Sequence, residues 1–160
     1  MSYRFYQTAE GAFEPRELTL SALMVKTPHT LTPAHLVRDA LHLMQAEGFR
    51  HVPIVEADSH DGSGRLLGLV TETDLLRNVL QGQHLTTDEH YHASLELALP
   101  LEQIMTRPVQ SLPPEATVSA AVALMLEHRL RCVPVTDPEG RLLGLVTQTD
   151  LLSLLRHLLD

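Results

Sequence analysis

Apolar positions along this chain follow two rhythms, one helical and one strand-like, and the same succession of rhythms occurs twice. Val37, Ala40, Leu41 and Met44 recur at helical spacing, as do Val118, Ala121, Val122 and Met125, so each set marks an amphipathic helix with one uncharged buried stripe. Aliphatic and β-branched runs bounded by turn residues follow at 52–55 and 66–70, and again at 133–135 and 142–146; these read as strands. A second helix is predicted to start after Thr71 and run through Leu75 and Leu76 towards Leu80, its counterpart starting after Thr147 and running towards Leu159. Short opening strands are expected near Thr30-Leu31 and Ser111-Leu112. Gly48, just past the first helical stripe, suits a C-terminal cap, whereas the second unit has Arg129 there and its helix is expected to end differently.

The rhythm repeats because the sequence does. Arg65-Leu-Leu-Gly-Leu-Val-Thr-Glu-Thr-Asp-Leu-Leu76 recurs as Arg141-Leu-Leu-Gly-Leu-Val-Thr-Gln-Thr-Asp-Leu-Leu152, differing only at Glu72 against Gln148. Upstream, Arg50-His-Val-Pro-Ile-Val55 aligns with Arg131-Cys-Val-Pro-Val-Thr136, and Met24 and Met105 open the two units. The connecting loops differ, a compact turn at 137–140 against a longer polar segment at 56–64, and loop length is a cheap variable. The fold class predicted is α/β (α+β), each repeat ordered strand, helix, strand, strand, helix. One unit of about 60 residues buries little surface alone, so the two are expected to pack about a pseudo-twofold axis. The organisation expected is an N-terminal arm at 1–15, a first repeat at 16–81, a linker at 82–96 and a second repeat at 97–160.

Composition narrows the function. The chain has 160 residues, 44% hydrophobic and 20% charged, with no Trp, three Tyr and three Phe, so aliphatic side chains must build the core. A single cysteine, Cys132, makes no intramolecular disulfide, and residues 1–15 carry no apolar signal-peptide core; a cytoplasmic location is expected. The longest uninterrupted apolar run, 120–126, falls far short of the roughly 20 residues that span a bilayer, so no membrane partner is expected. A formal net charge of −8 with no offsetting basic cluster disfavours nucleic acid. No nucleophile–base pair, conventional metal site or Walker-type glycine loop is present, which argues against an enzyme.

The assembled motifs resemble the cystathionine-β-synthase (CBS) domain family. Its repeats open with Met followed soon by Pro, as Met24 with Pro28 and Met105 with Pro108. They continue with an Ala-containing amphipathic helix and an Arg before a Val-Pro strand, and close on Gly, apolar, Val, Thr, two variable residues, Asp, matched at 68–74 and 144–150. The resemblance spans roughly 18–159. It implies a paired-repeat regulatory module, often a homodimer acting on a regulated protein, that needs no cofactor and binds AMP, ADP, ATP or S-adenosylmethionine between its repeats. Carried over position by position, Asp74 and Asp150 would hold the ribose hydroxyls with Thr71 and Thr147 beside them, and Arg50 and Arg131 would face the phosphates. Backbone at Thr30, Leu31, Ser111 and Leu112 would face the adenine.

The residues themselves admit two explanations. Thr-x-x-Asp ahead of an apolar run is also a helix-capping signature, and duplication of a fold duplicates its caps. On the other side, a carboxylate can accept two hydrogen bonds from a vicinal diol, and guanidinium forks match phosphate. His51 could add to the phosphate contacts, as could Lys26 and Arg107. Its counterpart is Cys132, so if both positions line clefts the first site has a titratable ring and the second a thiol, and their affinities should differ. Among the ten histidines, His84, His90 and His92 match no standard metal spacing and read as linker. Tyr3, Phe5, Tyr6 and Phe13 are expected to dock the arm onto the module or a dimer partner. A ligand-free dimerisation scaffold is the alternative function.

Overall fold

The structure is a computed structural model that describes residues 17–56, 64–82 and 97–159. The aromatic arm and the histidines at 84–92 lie outside the described residues. Each repeat takes the predicted order of helix, strand, strand, helix, and among the described residues only the first opens with a strand. In the first, α1 (Leu20–Leu23) and β1 (Val25–Lys26) lead into α2 (Val37–Glu47), β2 (His51–Val55), β3 (Leu66–Thr71) and α3 (Glu72–Gly82). In the second, a 3-10 turn (Leu101–Gln103) leads into α4 (Val118–His128), β4 (Cys132–Thr136), β5 (Leu142–Thr147) and α5 (Gln148–Leu159). The predicted opening strands are reduced to single parallel bridges, Leu31 to Ile54 and Leu112 to Val135.

The strands form where β-branched residues can pack on both faces: Val52, Ile54, Val70, Val133, Val135 and Val146 are all fully buried. β2 pairs antiparallel with β3 and β4 with β5, each ladder slipping one residue at its far end, at Ile54/Val55 and Val135/Thr136. Pro53 and Pro134 sit inside these strands without penalty. Beyond them stands only the single bridging residue, whose N–H donates to the proline carbonyl at 3.2 Å from Leu31 and 3.1 Å from Leu112. Both long helices also end alike, against the expectation for the second. Gly48 takes the left-handed conformation at φ 73°, and Arg129 takes it too at φ 55°, each N–H closing onto the carbonyl of Met44 or Met125. The helix end therefore dictates the backbone geometry, and the second repeat meets it with a residue that is not glycine.

The two repeats are joined by exchange. β1, at the start of the first repeat, pairs with β5 of the second (Val25 with Leu145, Lys26 with Gly144), giving a three-stranded sheet ordered β1-β5-β4. Thr106, at the start of the second repeat, returns the favour by bridging Leu69 of β3. Hydrogen bonds just upstream obey the same symmetry. Leu20 N–H donates to Ala116 C=O at 2.8 Å and Leu101 N–H to His35 C=O at 2.8 Å, while Val118 and Val37 donate to Leu18 and Leu99 at 2.8 and 2.9 Å. The cores follow suit. Leu20 and Leu23 are buried among Val118, Ala121, Val133 and Val146, and Leu101 and Met105 among Val37, Ala40, Val52 and Val70. Burying one such leucine contributes about 2 kcal/mol, so each repeat draws part of its stability from the other's lead-in. On the axis itself Leu66 donates to Gly140 and Leu142 to Gly64 at 2.9 and 3.1 Å.

The exchange explains the motif glycines. A Cβ on Gly68 would sit 2.5 Å from Met105 Sδ, and one on Gly144 would sit 2.5 Å from Met24 Sδ and 2.9 Å from the Val25 carbonyl oxygen. A thioether can swing aside, but a carbonyl held in the β1–β5 ladder cannot. Gly144→Ala should therefore cost about 2 kcal/mol or more, and Gly68→Ala distinctly less. Urea midpoints of the two variants check this, and equal losses would contradict it.

Candidate functional site

The closing strand of each repeat delivers a threonine to the first turn of the following helix, and the predicted capping box forms there. Asp74 Oδ2 accepts from the Thr71 N–H at 3.0 Å and from its hydroxyl at 2.7 Å, while Thr71 Oγ1 accepts from the Asp74 N–H at 3.2 Å. Asp150 repeats this geometry with Thr147 at 2.7, 2.7 and 3.3 Å. The two aspartates differ in burial: Asp150 is only 4% exposed, Asp74 partly open. Every cap bond to Asp74 uses Oδ2, so Oδ1 accepts nothing from the described residues.

Asp74 opens onto a cleft of about 310 Å³ between the repeats. Arg50, His51, Leu69 and residues 71–74 line it from the first repeat, and Thr106 with residues 129–132 from the second, Thr106 lying next to its bridge partner Leu69. The volume suits a small molecule. Of the residues singled out from sequence, Asp74, Thr71, Arg50, Arg131 and His51 come together here. Thr147 and Asp150 stand at the equivalent helix start of the second repeat and do not line this cleft. Thr30, Leu31, Ser111 and Leu112 do not line it either. The N–H and C=O of Leu31 and of Leu112 are spent on strand bonds, and Ser111 Oγ lies 2.9 Å from Thr136 Oγ1. His51 and Cys132, expected to mark two separate sites, line this same cleft, because the starts of β2 and β4 both open onto it. Lys26 and Arg107 are exposed and do not line it.

Charge in the cleft is unevenly held. Arg50 Nε lies 3.4 Å from Glu72 Oε2, with both side chains well exposed, so the pair adds little stability but offsets the guanidinium charge. In the second repeat Gln148 takes the place of Glu72 and donates to the Leu130 carbonyl at 3.2 Å, and Arg131 has no ion pair among the described residues. The one difference in the duplicated motif thus decides which arginine is neutralised. Burial, reinforced by Arg131, lowers the His51 pKa below its ordinary 6.5 against the opposing pull of Asp74. Burial alone pushes the Cys132 thiol up to about 12, which keeps it protonated and a poor nucleophile. Glu72, Thr106 and Arg129 were missed from sequence. Glu72 was visible as the motif's single mismatch, and Arg129 as an arginine replacing the cap glycine. Among the described residues no group of three or more His, Cys, Asp or Glu could hold a metal ion, and no helix is long and apolar enough to cross a membrane.

Two α/β repeats related by a pseudo-twofold axis, with exchanged lead-ins and a charged cleft between them, define a paired-repeat module. The CBS domain family model matches residues 20–81 and 101–157, and the chain belongs to that family. Its fold is similar to that of a Vibrio cholerae protein provisionally assigned to acetoin utilization (AcuB), at 32% identity and TM-score 0.72 over 89% of this chain and 93% of that one. It is also similar to CBSX2, solved in complex with AMP, at 23% identity and TM-score 0.71 over 89% and 99% of the two chains. A third similar structure is the CBS domain pair of protein MJ0100 in complex with 5′-methylthioadenosine and S-adenosyl-L-methionine, at 23% identity and TM-score 0.70 over 86% and 98%. Several curated relatives are much longer: the chain spans 23% of the homoserine O-acetyltransferase of Methanocorpusculum labreanum and 22% of the inosine-5′-monophosphate dehydrogenase of Halalkalibacterium halodurans.

A histidine whose folded pKa lies below its unfolded one takes up its proton less readily when folded. Stability due to neutral His51 is therefore complete above about pH 6.5 and is lost as pH falls through that value towards the folded pKa. Wild type should lose stability relative to His51→Gln as pH is lowered from 7.5 to 5.5. Chemical denaturation across that range checks it, and a constant difference between the two proteins would contradict it.

Proposed function

We propose that the protein is a regulatory module, not an enzyme, that binds an adenosine-containing ligand in the cleft between its repeats. The observation that carries this is the half-used carboxylate of Asp74: Oδ2 caps α3, while Oδ1 has no partner among the described residues in a cleft that also holds Arg50 and Arg131. In this reading Asp74 takes the vicinal hydroxyls of a ribose, with Thr71 orienting its carboxylate, and the arginines, with His51 beside them, take the phosphates or their equivalent. Asp150 and Thr147 play the same part in the second repeat, and the backbone near Thr30, Leu31, Ser111 and Leu112 faces the adenine once the ligand is seated. CBSX2 with AMP and the MJ0100 pair with S-adenosylmethionine support the ligand class. The longer enzyme relatives are matched over about a quarter of their length, which supports a regulatory rather than a catalytic role. The setting proposed is the cytoplasm.

One observation favours a second reading, a ligand-free dimerisation scaffold: both Thr-Asp pairs are complete as helix caps. Thermal melting separates the two. At a ligand concentration of about 100 times Kd, binding adds about 2.7 kcal/mol and should raise Tm by roughly 5–10 °C. Asp74→Ala should abolish the shift at its cleft at a cost of about 1 kcal/mol of capping. No shift with AMP, ADP, ATP or S-adenosylmethionine would leave the scaffold.

A homodimer belongs to either reading. Leu152, Leu155 and Leu159 line one face of α5 at i, i+3 and i+7 and are 65%, 51% and 78% exposed, and Leu76, the counterpart of Leu152, is 49% exposed on α3. A second copy covering this face is expected. Leu152→Glu with Leu155→Glu should convert a dimer to a monomer by light scattering, and a wild-type monomer at tens of micromolar would remove the homodimer.

A further inference from the structure

The two repeats share the left-handed ending of their long helices, and a difference at that position places a cation in the cleft at a conformational cost. The cap position after the first repeat's long helix is Gly48, whose left-handed φ of 73° costs glycine nothing. A Cβ there would meet nothing within 4 Å, so only the backbone conformation favours glycine. The second repeat holds the same left-handed geometry with Arg129, at φ 55°, where an L side chain is disfavoured. The helix end imposes this conformation in both repeats, and strained positions of this kind cluster at binding sites. Arg129 lines the same cleft as Asp74. It has no ion pair among the described residues, in contrast to Arg50, which Glu72 engages at 3.4 Å.

We infer that Arg129 is an anion-binding residue peculiar to the Asp74 cleft, and that with Arg131 it makes this cleft the seat of a nucleotide di- or triphosphate. The inference rests on the adenosine reading of the cleft and sharpens it. Arg129 and Arg131 flank Leu130 in sequence and all three line the cleft, so it holds two arginines that have no ion pair among the described residues. Each fork can take two oxygens of a phosphate chain, whereas a single paired arginine would serve a monophosphate. The pseudo-twofold carries Arg129 onto Gly48, so the Asp150 end lacks this cation and takes the less charged ligand. Glu72 adds to the contrast by occupying Arg50, which leaves the anion to the second repeat's arginines.

Titration calorimetry with adenosine, AMP, ADP and ATP tests this on wild type, Arg129→Gly and Arg129→Asn. Glycine is the residue the first repeat uses, and asparagine tolerates the left-handed conformation, so both variants should fold with a Tm no lower than wild type. Adenosine affinity should stay within about twofold, while affinity for ADP and ATP should fall about tenfold or more and AMP by less. Equal affinities in all three proteins, or equal losses for adenosine and ATP, would overturn the role of Arg129 while leaving nucleotide binding itself intact. A wild-type protein that binds none of the four would remove the adenosine reading and this inference together.

Discussion

The antiparallel exchange between repeats, Val25 on Leu145 and Thr106 on Leu69, is the constraint on which the rest of the molecule depends. Each lead-in must cross to the other repeat, so each core is closed by a leucine from a different stretch of chain, Leu20 in one and Leu101 in the other. Close approach of the crossing segment favours glycine at 68, against the Met105 side chain, and requires it at 144, against the Val25 carbonyl. The crossing also makes the cleft. Thr106 lines the cleft with Thr71 and Asp74 because its bridge to Leu69 holds it there, and residues 129–132 join it because the second repeat is anchored by the same crossing. A single repeat would have neither a closed core nor a second wall.

The sequence made the helices and strands readable because their signals are local. Helical stripes at 37–44 and 118–125 and aliphatic runs at 52–55 and 142–146 each fix their own conformation through periodicity. The exchange was not readable, since nothing in the lead-ins says which repeat they join; Leu20 and Leu101 fit either core by composition. The ending of α4 was misjudged for a related reason. Residue preference disfavours a left-handed arginine, yet the Met125 carbonyl must be satisfied and the chain must turn into β4, and that tertiary demand outweighed preference at Arg129.

The site was legible in its residue types and not in their grouping. Thr71, Asp74, Arg50, Arg131 and His51 were all visible as motif positions, and they do meet in one cleft. That Cys132 shares this cleft with His51 follows from how the starts of β2 and β4 converge, a long-range fact beyond any spacing. The choice between cap and ligand also changes form. A carboxylate has two oxygens, and the cap at Asp74 occupies only Oδ2, so holding the helix and holding a diol are compatible duties of one group. The cap then orients the carboxylate, so that little freedom remains to be lost when a ligand arrives.

Duplication supplies one more line of reasoning. Positions that the fold needs are the same in both repeats: the glycines under the crossing strands, the Val-Pro strands, and the capping threonines and aspartates. Three positions that differ are Glu72 against Gln148, His51 against Cys132, and Gly48 against Arg129, and in each pair a residue that lines the cleft replaces one of different charge or polarity. Other differences, such as Arg38 against Ser119 and His42 against Ala123, fall on exposed helix faces and line no part of this cleft. The meeting of those three around a single cavity, where they set which guanidiniums are free, fits a pair of sites that have parted in the charge of what they hold, while the shared crossing keeps the two repeats mechanically one body.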